Sequence, residues 1–349
     1  MFRHEERKEN RMAATIKDVA KLAGVSAATV SRAVSGKVVS HELKSKVEEA
    51  ILATGYRPNL AARRLRGHSN DMIGLIIADI RNPFFTRFAR AIDDIAKTKN
   101  QHVILCNTDE NFEQEKAYLD LMEEENVAGI ILSPTLLRSG KHITSRKEKP
   151  AKLQRPLVLV DRTPDEMIYD SVLIDNHAAA KKLVQHLYEN GRKHILCLYG
   201  ADSRTGFERQ KGFDDAIRAL HLSGESVAIK HGKDNVAKSL KNALAKNPDS
   251  DALIVTNGVL ALKAAAFLKK AGLVVPDQLA FAAFDDEPWM ELVFNGITTI
   301  AQPVGDIARE AYHCMMERLE NPLKPVRQTV LKSKLVVRGS TLKARTRQI

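Results

Sequence analysis

The chain of 349 residues reads as a small all-α head followed by an α/β core of two lobes, each a doubly wound parallel sheet. Two observations predict this. Up to Tyr56, apolar residues recur at helical spacing and are interrupted by glycine and serine where short helices would end and begin. From Met72 the rhythm changes to short, near-continuous apolar runs alternating with amphipathic stretches, which is the pattern of parallel strands covered on both faces. Composition agrees: 44% apolar and 28% charged residues suit a globular protein large enough for more than one core. No stretch approaches the roughly 18 apolar residues of a membrane-spanning helix, and the opening MFRHEERKEN lacks the apolar run of a signal peptide, so a cytoplasmic location is expected.

The first helix begins at Thr15, whose partner Asp18 three positions on makes a capping-box variant able to satisfy free amides at a helix start. Val19, Ala20, Leu22 and Ala23 are expected to form its buried face, with small Ala20 allowing a close neighbour. Gly24 can take the left-handed conformation that ends a helix, Val25 plugs the turn and Ser26 caps the next helix. In that second helix Val30 and Ala33 face inward, which leaves Ala27, Ala28, Thr29, Ser31 and Arg32 outward as candidates for a DNA-facing surface. Taken alone, IKDVAKLAGVSAATVSRAV also reads as an ordinary helical hairpin with a glycine between its helices. Ser35-Gly36 then breaks the pattern, and Ser40 caps a third helix whose Val47, Ala50 and Ile51 close a three-helix core.

Pro58 opens NLAARRLRG, in which Leu60, Ala61, Ala62 and Leu65 are interspersed with three arginines. The segment is too short to be a stable helix alone in water. It can fold only against another surface, of which a DNA minor groove is one and a basic linker in solvent is the alternative. Charge points to the same partner: up to Gly67 there are 14 Lys/Arg against 7 Asp/Glu, in a chain whose net charge is +11. A local surplus of this kind suits phosphate binding through counterion release. The basic runs Arg138 to Arg155 and Lys332 to Arg347 read as solvated loop and tail.

In the core, the runs IGLIIADI, HVILCNT, AGIILSP, PLVLVDR, HILCLYG, ALIVTN and LAFAAFD read as strands, separated by helical stretches, with a gap at Tyr169 to Asp175 dividing two lobes. Open parallel sheets bind ligands beyond the carboxyl ends of their strands. That directs attention to Asp79, Ser133, Asp161, Asn257 and Asp285, each at or just past a strand end. Cys106, Cys197 and Cys314 are scattered and without CxxC spacing, so they are expected to be buried thiols, and neither a disulfide framework, a metal site nor a cofactor is expected. GxSxG, GxxxxGK[ST], GxGxxG after a strand and HExxH are all absent, which argues against the enzymes built on such lobes.

Together TIKDVAKLAGVSAATVSRAVSG, GYRPNLAARRLRG, RNPFF (Arg81 to Phe85), VDR (with Asp161 and Arg162), IDNHAAAKKLVQHL, RQKGF (Arg209 to Phe213), FDD (Phe284 to Asp286) and ITTIAQP (Ile297 to Pro303) resemble, in order, the motifs of the LacI family of bacterial transcription regulators. The resemblance runs from about Thr15 to Ser340. It implies a periplasmic-binding-protein-like core and a repressor that binds a pseudo-palindromic operator as a homodimer or tetramer. Effector binding between the lobes would alter the hinge and so operator affinity. The absence of a C-terminal leucine heptad favours the dimer. The expected organisation is an extension over 1–14, the head over 15–57 and a hinge helix over 58–70. The first lobe would take 71–171 and 304–330, the second 172–303 and 331–341, and a basic tail 342–349. The alternative is a solute-binding protein that shares the core; the basic head and the missing signal peptide argue against it.

Carried over by position, the helix starting at Ser26 should enter the major groove with Ala27, Ala28 and Arg32 toward base edges. The alanines offer methyl contacts only, so Arg32 is the candidate for a guanine contact. Ser26, Thr29 and Ser31 suit phosphates, Asn59 matches the hinge asparagine, and Leu65 matches the leucine that wedges into the minor groove. Effector contacts fall at Phe85, Asp161, Arg209, Asn257 and Asp285, a set suited to a sugar: carboxylates for paired hydroxyls, a guanidinium fork and an apolar wall. Two departures stand out. Gly258 follows Asn257 where the family often has Asp, and Gly232-Lys233-Asp234 lacks the aromatic of several sugar-responsive members. The segment FDDEPWMELVFNGITTIAQP looks closer to members that sense sugar acids such as gluconate or its keto derivatives, with Arg209 and Lys233 as the groups to serve a carboxylate.

Overall fold

The computed structural model describes residues 14–34, 38–56, 71–135, 153–164, 169–230, 232 and 234–342. They fall into two compact units, one ending at Asn70 and one beginning at Asp71. The hinge expected over residues 58–70, with Asn59 and Leu65, lies outside the described residues, as does Lys233.

The head consists of α1 (Ile16–Ala23), α2 (Ala27–Val34) and α3 (His41–Thr54). Its local signals are realised as expected. The Asp18 carboxylate accepts from both the Thr15 amide at 2.8 Å and the Thr15 hydroxyl at 2.7 Å, and Gly24 adopts φ +64° behind α1. The Ser26 hydroxyl accepts the Thr29 amide at 3.1 Å, and Ser40 caps α3. Val19, Val30 and Val47 are fully buried, joined by Ala20 and Ala50, at about 2 kcal/mol for each valine removed from water. Leu22 is a correction: it is 58% exposed. Ile16, Val19, Ala20 and Ala23 form the stripe that packs, and Leu22 lies roughly 110° around the helix from its centre at 100° per residue.

The second unit holds two six-stranded sheets of the same design. In chain order, the first lobe comprises β1 (Met72–Ile77), α4 (Pro83–Thr98), β2 (His102–Asn107), α5 (Phe112–Glu124), β3 (Gly129–Leu132), β4 (Leu157–Val160) and β5 (Asp170–Ile174). The second comprises α6 (Asn176–Glu189), β6 (His194–Gly200), α7 (Arg204–Ala219), β7 (Ser223–Ile229), α8 (Val236–Lys246), β8 (Ala252–Val255), α9 (Gly258–Lys270), β9 (Ala280–Phe284) and β10 (Thr298–Ala301). Then α10 (Val304–Glu320) and β11 (Gln328–Leu331) return to the first lobe, and β12 (Lys334–Val336) to the second. The strand orders are β11-β5-β4-β3-β1-β2 and β12-β10-β9-β8-β6-β7, so each strand of one lobe has a counterpart in the other. The chain therefore passes between the lobes three times, after β5, after β10 and after β11.

The interval 169–175, read from sequence as the divider between lobes, contains β5, which pairs with β4 inside the first sheet. Its pattern is hidden because it starts on polar Asp170 and Ser171, both buried. The Arg318 guanidinium, from α10, holds the Asp170 carboxylate at 2.9 and 3.0 Å. A boundary at 171/172 thus cuts a strand, and the lobes divide after Ile174. The aliphatic strands are covered on both sides, giving two apolar clusters per lobe, and all three cysteines are buried and unpaired.

Gly212 carries a close helix–helix contact in the second lobe. A β-carbon there would lie 2.3 Å from the His177 carbonyl oxygen, so α7 crosses α6 with backbone against backbone. Gly212→Ala is expected to destabilise the core by about 3 kcal/mol through overpacking, despite the better helix propensity of alanine. Urea unfolding followed by circular dichroism checks this, and an unchanged midpoint would show that the helices part freely.

Candidate functional site

On the head, α2 presents Ala27, Ala28 and Arg32 exposed, with Thr29 and Ser31 half-buried beside them. Ser26 is exposed, and its hydroxyl lies 2.9 Å from that of Thr29 while capping the helix. Its role in the head is therefore to set where α2 begins and which residues face outward.

In the core, the five strand-end residues sit where the sequence places them, and two share an unusual conformation. Asp161 directly follows β4 and Asp285 directly follows β9, the corresponding strands of the two lobes. They take φ +68° and +66°, a left-handed backbone that aspartate tolerates better than most residues and that costs of order 1 kcal/mol or more. Asp161 is paired with Arg162, whose Nε lies 3.0 Å from it. Arg162 is buried and also donates from Nη1 to both Glu110 oxygens at 2.9 and 3.0 Å. Burial works against the Arg162 charge, but Glu110 and then Asp161 outweigh it, so its pKa lies above the ordinary arginine value.

Arg209 differs. It is 3% exposed, yet its hydrogen bonds go to neutral acceptors: Nε to the Asn176 side-chain oxygen at 2.8 Å and Nη1 to the Thr256 carbonyl at 2.6 Å. Its guanidinium carbon stands 4.4 Å above the centre of the Phe284 ring, a cation–π contact. Burial pulls its pKa below the ordinary value, opposed by Asp285, then Asp161 and Glu208, with Arg162 adding to the fall. Arg209 is thus within electrostatic reach of Asp285 of its own lobe and of Asp161 of the first lobe.

Asp285 accepts the Gly258 amide at 3.0 Å and the Gln302 side-chain amide at 2.7 Å. Asn257 caps α9 through the Leu260 amide at 2.8 Å, so one of its oxygen valences is structural. Phe85 is not brought to the carboxylates by any contact: its ring is buried in the first-lobe core, edge-on to Phe84 at 5.1 Å between centroids. Sequence reasoning missed Asn176 and Gln302. Both lie inside family-like motifs, Asn176 in IDNHAAAKKLVQHL and Gln302 in ITTIAQP, which was the signal that could have found them, but neither stands directly at the end of an apolar run. Ser133 Oγ and Thr256 Oγ1 are buried and without a hydrogen-bond partner among the described residues.

Beside this group, the segment after β9 meets the first lobe. Arg87 of α4 donates from Nη1 to the Asp286 carbonyl at 2.8 Å, and its Nη2 lies 3.0 Å from Glu287 Oε1. Burial pushes the Glu287 carboxyl up, with Arg87 opposing and Asp285 and Asp286 adding to the shift. No helix among the described residues is long and apolar enough to cross a membrane.

Comparison with known proteins matches these parts separately and together. Residues 15–59 match the model of the bacterial regulatory proteins of the lacI family, and residues 184–341 match that of the periplasmic binding protein-like domain. The ribose operon repressor of Halalkalibacterium halodurans is 34% identical over 330 residues, covering 94% of this chain and 97% of that one. The HTH-type transcriptional regulator PtxS of Pseudomonas aeruginosa is 33% identical over 335 residues, covering 94% and 95%. Among solved structures, a periplasmic binding protein/LacI transcriptional regulator from Alkaliphilus metalliredigens, complexed with D-xylulofuranose, superposes with a TM-score of 0.69 at 27% identity over 78% of this chain and 100% of that one. A capped helix-turn-helix at one end, two matched lobes at the other and full-length likeness to regulators lead to one conclusion: the chain belongs to the lacI family of bacterial regulatory proteins.

Proposed function

We propose that the protein is a cytoplasmic transcriptional repressor that binds a pseudo-palindromic operator as a homodimer and is controlled by a sugar or sugar acid held between the lobes of its core. Two-fold protein symmetry calls for two related half-sites. Ser26, Ala27, Ala28, Thr29, Ser31 and Arg32 meet the major groove; Asn59 and Leu65 meet the minor groove. Effector contacts come from Asp161, Arg209, Asn257 and Asp285, while Phe85 belongs to the apolar core of the first lobe. This function involves no catalytic step and no cofactor. Its family relatives include a regulator named for the ribose operon and one seen with D-xylulofuranose, which supports a sugar-sized ligand.

The observation that carries the effector reading is the state of Arg209. A buried guanidinium whose hydrogen bonds all end on neutral acceptors has charge left to satisfy, and a ligand carboxylate beside sugar hydroxyls meets that need. Asp161 and Asp285 then accept from hydroxyls. Calorimetric titration of the full chain with gluconate, 2-ketogluconate, D-ribose and D-glucose is expected to give binding by a sugar acid, and the same compound is expected to change retention of promoter DNA in gel-shift assays. Binding of neutral sugars alone would overturn the sugar-acid assignment, and binding of none with unaltered DNA retention would overturn the effector site.

A further inference from the structure

We infer that Arg87 is a positioning residue that holds the two lobes in their observed arrangement by gripping the segment Asp285 to Glu287, and so ties that arrangement to the effector site. The inference rests on the effector reading only for the role of Asp285. Each of the four apolar clusters of the core belongs to one lobe. Apolar packing therefore fixes each lobe internally while leaving their mutual arrangement to the three chain crossings and to polar contacts.

Arg87 supplies such a contact. It projects from α4 of the first lobe to a segment anchored on the second at several points. Asp285 is held by Gly258 and Gln302. Asp286 is held by the Thr299 hydroxyl at 2.9 Å and by Arg338 at 2.6 and 3.2 Å. A segment pinned this way moves with its lobe as a rigid piece, so a grip on its Asp286 carbonyl is a grip on the lobe. The contact is also incompletely satisfied. Arg87 Nη2 and Glu287 Oε1 are 3.0 Å apart, yet among the described residues neither these two atoms nor Arg87 Nε makes an aligned hydrogen bond.

An ion pair whose arginine is about a third exposed adds little net stability, which distinguishes a contact that selects an arrangement from one that holds the fold. A small rotation of one lobe either aligns the pair or breaks it, giving the discrete alternatives that a switch requires. Asp285 stands directly before the gripped residues. A ligand that displaces its bond to Gln302 or Gly258 shifts the segment that Arg87 reads, which is the differential contact that coupling between effector and lobe arrangement needs.

The test needs no effector, so its failure is distinct from failure of the effector reading. Nitroxides are placed on the full-length chain at Glu113→Cys of α5 and Lys238→Cys of α8, both exposed, the native thiols being buried. Labelled protein is diluted with excess unlabelled protein so that distances within one chain are read. Arg87→Gln is expected to add a second, longer-distance population, Glu287→Gln to do the same to a smaller extent, and Arg87→Lys to keep the parent distribution, all with an unchanged thermal midpoint. A parent-like distribution in folded Arg87→Gln overturns the inference. If Arg87→Gln does not fold, Glu287→Gln decides from the other side of the contact. Loss of folding in both would show that the contact holds the fold and also overturns it.

Discussion

Arg209→Ala is expected to remove effector binding. Truncating a buried, hydrogen-bonded charge costs about 2–5 kcal/mol, or roughly 30-fold to several thousand-fold in affinity. Part of that cost is structural, because the Asn176 oxygen and the Thr256 carbonyl lose their donor, at about 1–3 kcal/mol for each buried group left unpaired. The informative partner is Arg209→Lys. An ammonium keeps the charge but has no planar fork, so it cannot serve Asn176, Thr256 and a ligand together. Calorimetry with the compound that binds the parent is expected to show at least about a tenfold loss for the lysine variant, the value of one hydrogen bond to a charged group. Parent-like binding by both variants would place the effector elsewhere.

Arg32→Ala is expected to have the second large effect, on DNA. A guanine-reading arginine contributes about 1–3 kcal/mol of discrimination per half-site, and a symmetric dimer uses it twice. The neighbouring exposed residues, Ala27 and Ala28, have no polar group to take over. Fluorescence anisotropy on an operator found by genome-wide mapping is expected to show specific affinity falling toward that of a scrambled duplex, while binding to the scrambled duplex changes little. An equal loss on both duplexes would reassign Arg32 to phosphate contact, because phosphates carry no sequence information.

How far the sequence could be read depended on whether each signal was local. The head was legible because caps are local: Thr15, Gly24, Ser26 and Ser40 act within three or four residues of themselves. Strands buried on both faces, such as IGLII and ALIV, announced themselves by unbroken apolar runs. β5 did not, since its polar start is matched by Arg318 from 148 residues further on. The edge strands β7, β11 and β12 are partly exposed and carry no such run. At the proposed effector site Asp161, Arg209 and Asp285 were found as strand-end or motif residues, whereas Asn176 and Gln302, though inside family-like motifs, were passed over because their partners Arg209 and Asp285 come from other elements. Leu22 shows the complementary error, an apolar residue at helical spacing on the wrong edge of its stripe.

The three crossings also dictate an order of maturation. The first lobe starts at Met72, but its sheet lacks an edge until β11 arrives at Gln328, and its core lacks α10 until the preceding turn of synthesis. A growing chain emerges at roughly 5–20 residues per second and folds its completed units first, and pairing partners so distant in sequence meet slowly. The head, finished by Tyr56, can therefore acquire its shape while the first lobe still waits for its closing strand. Ribosomes that stop early would release a helix-turn-helix with no functioning sensor behind it.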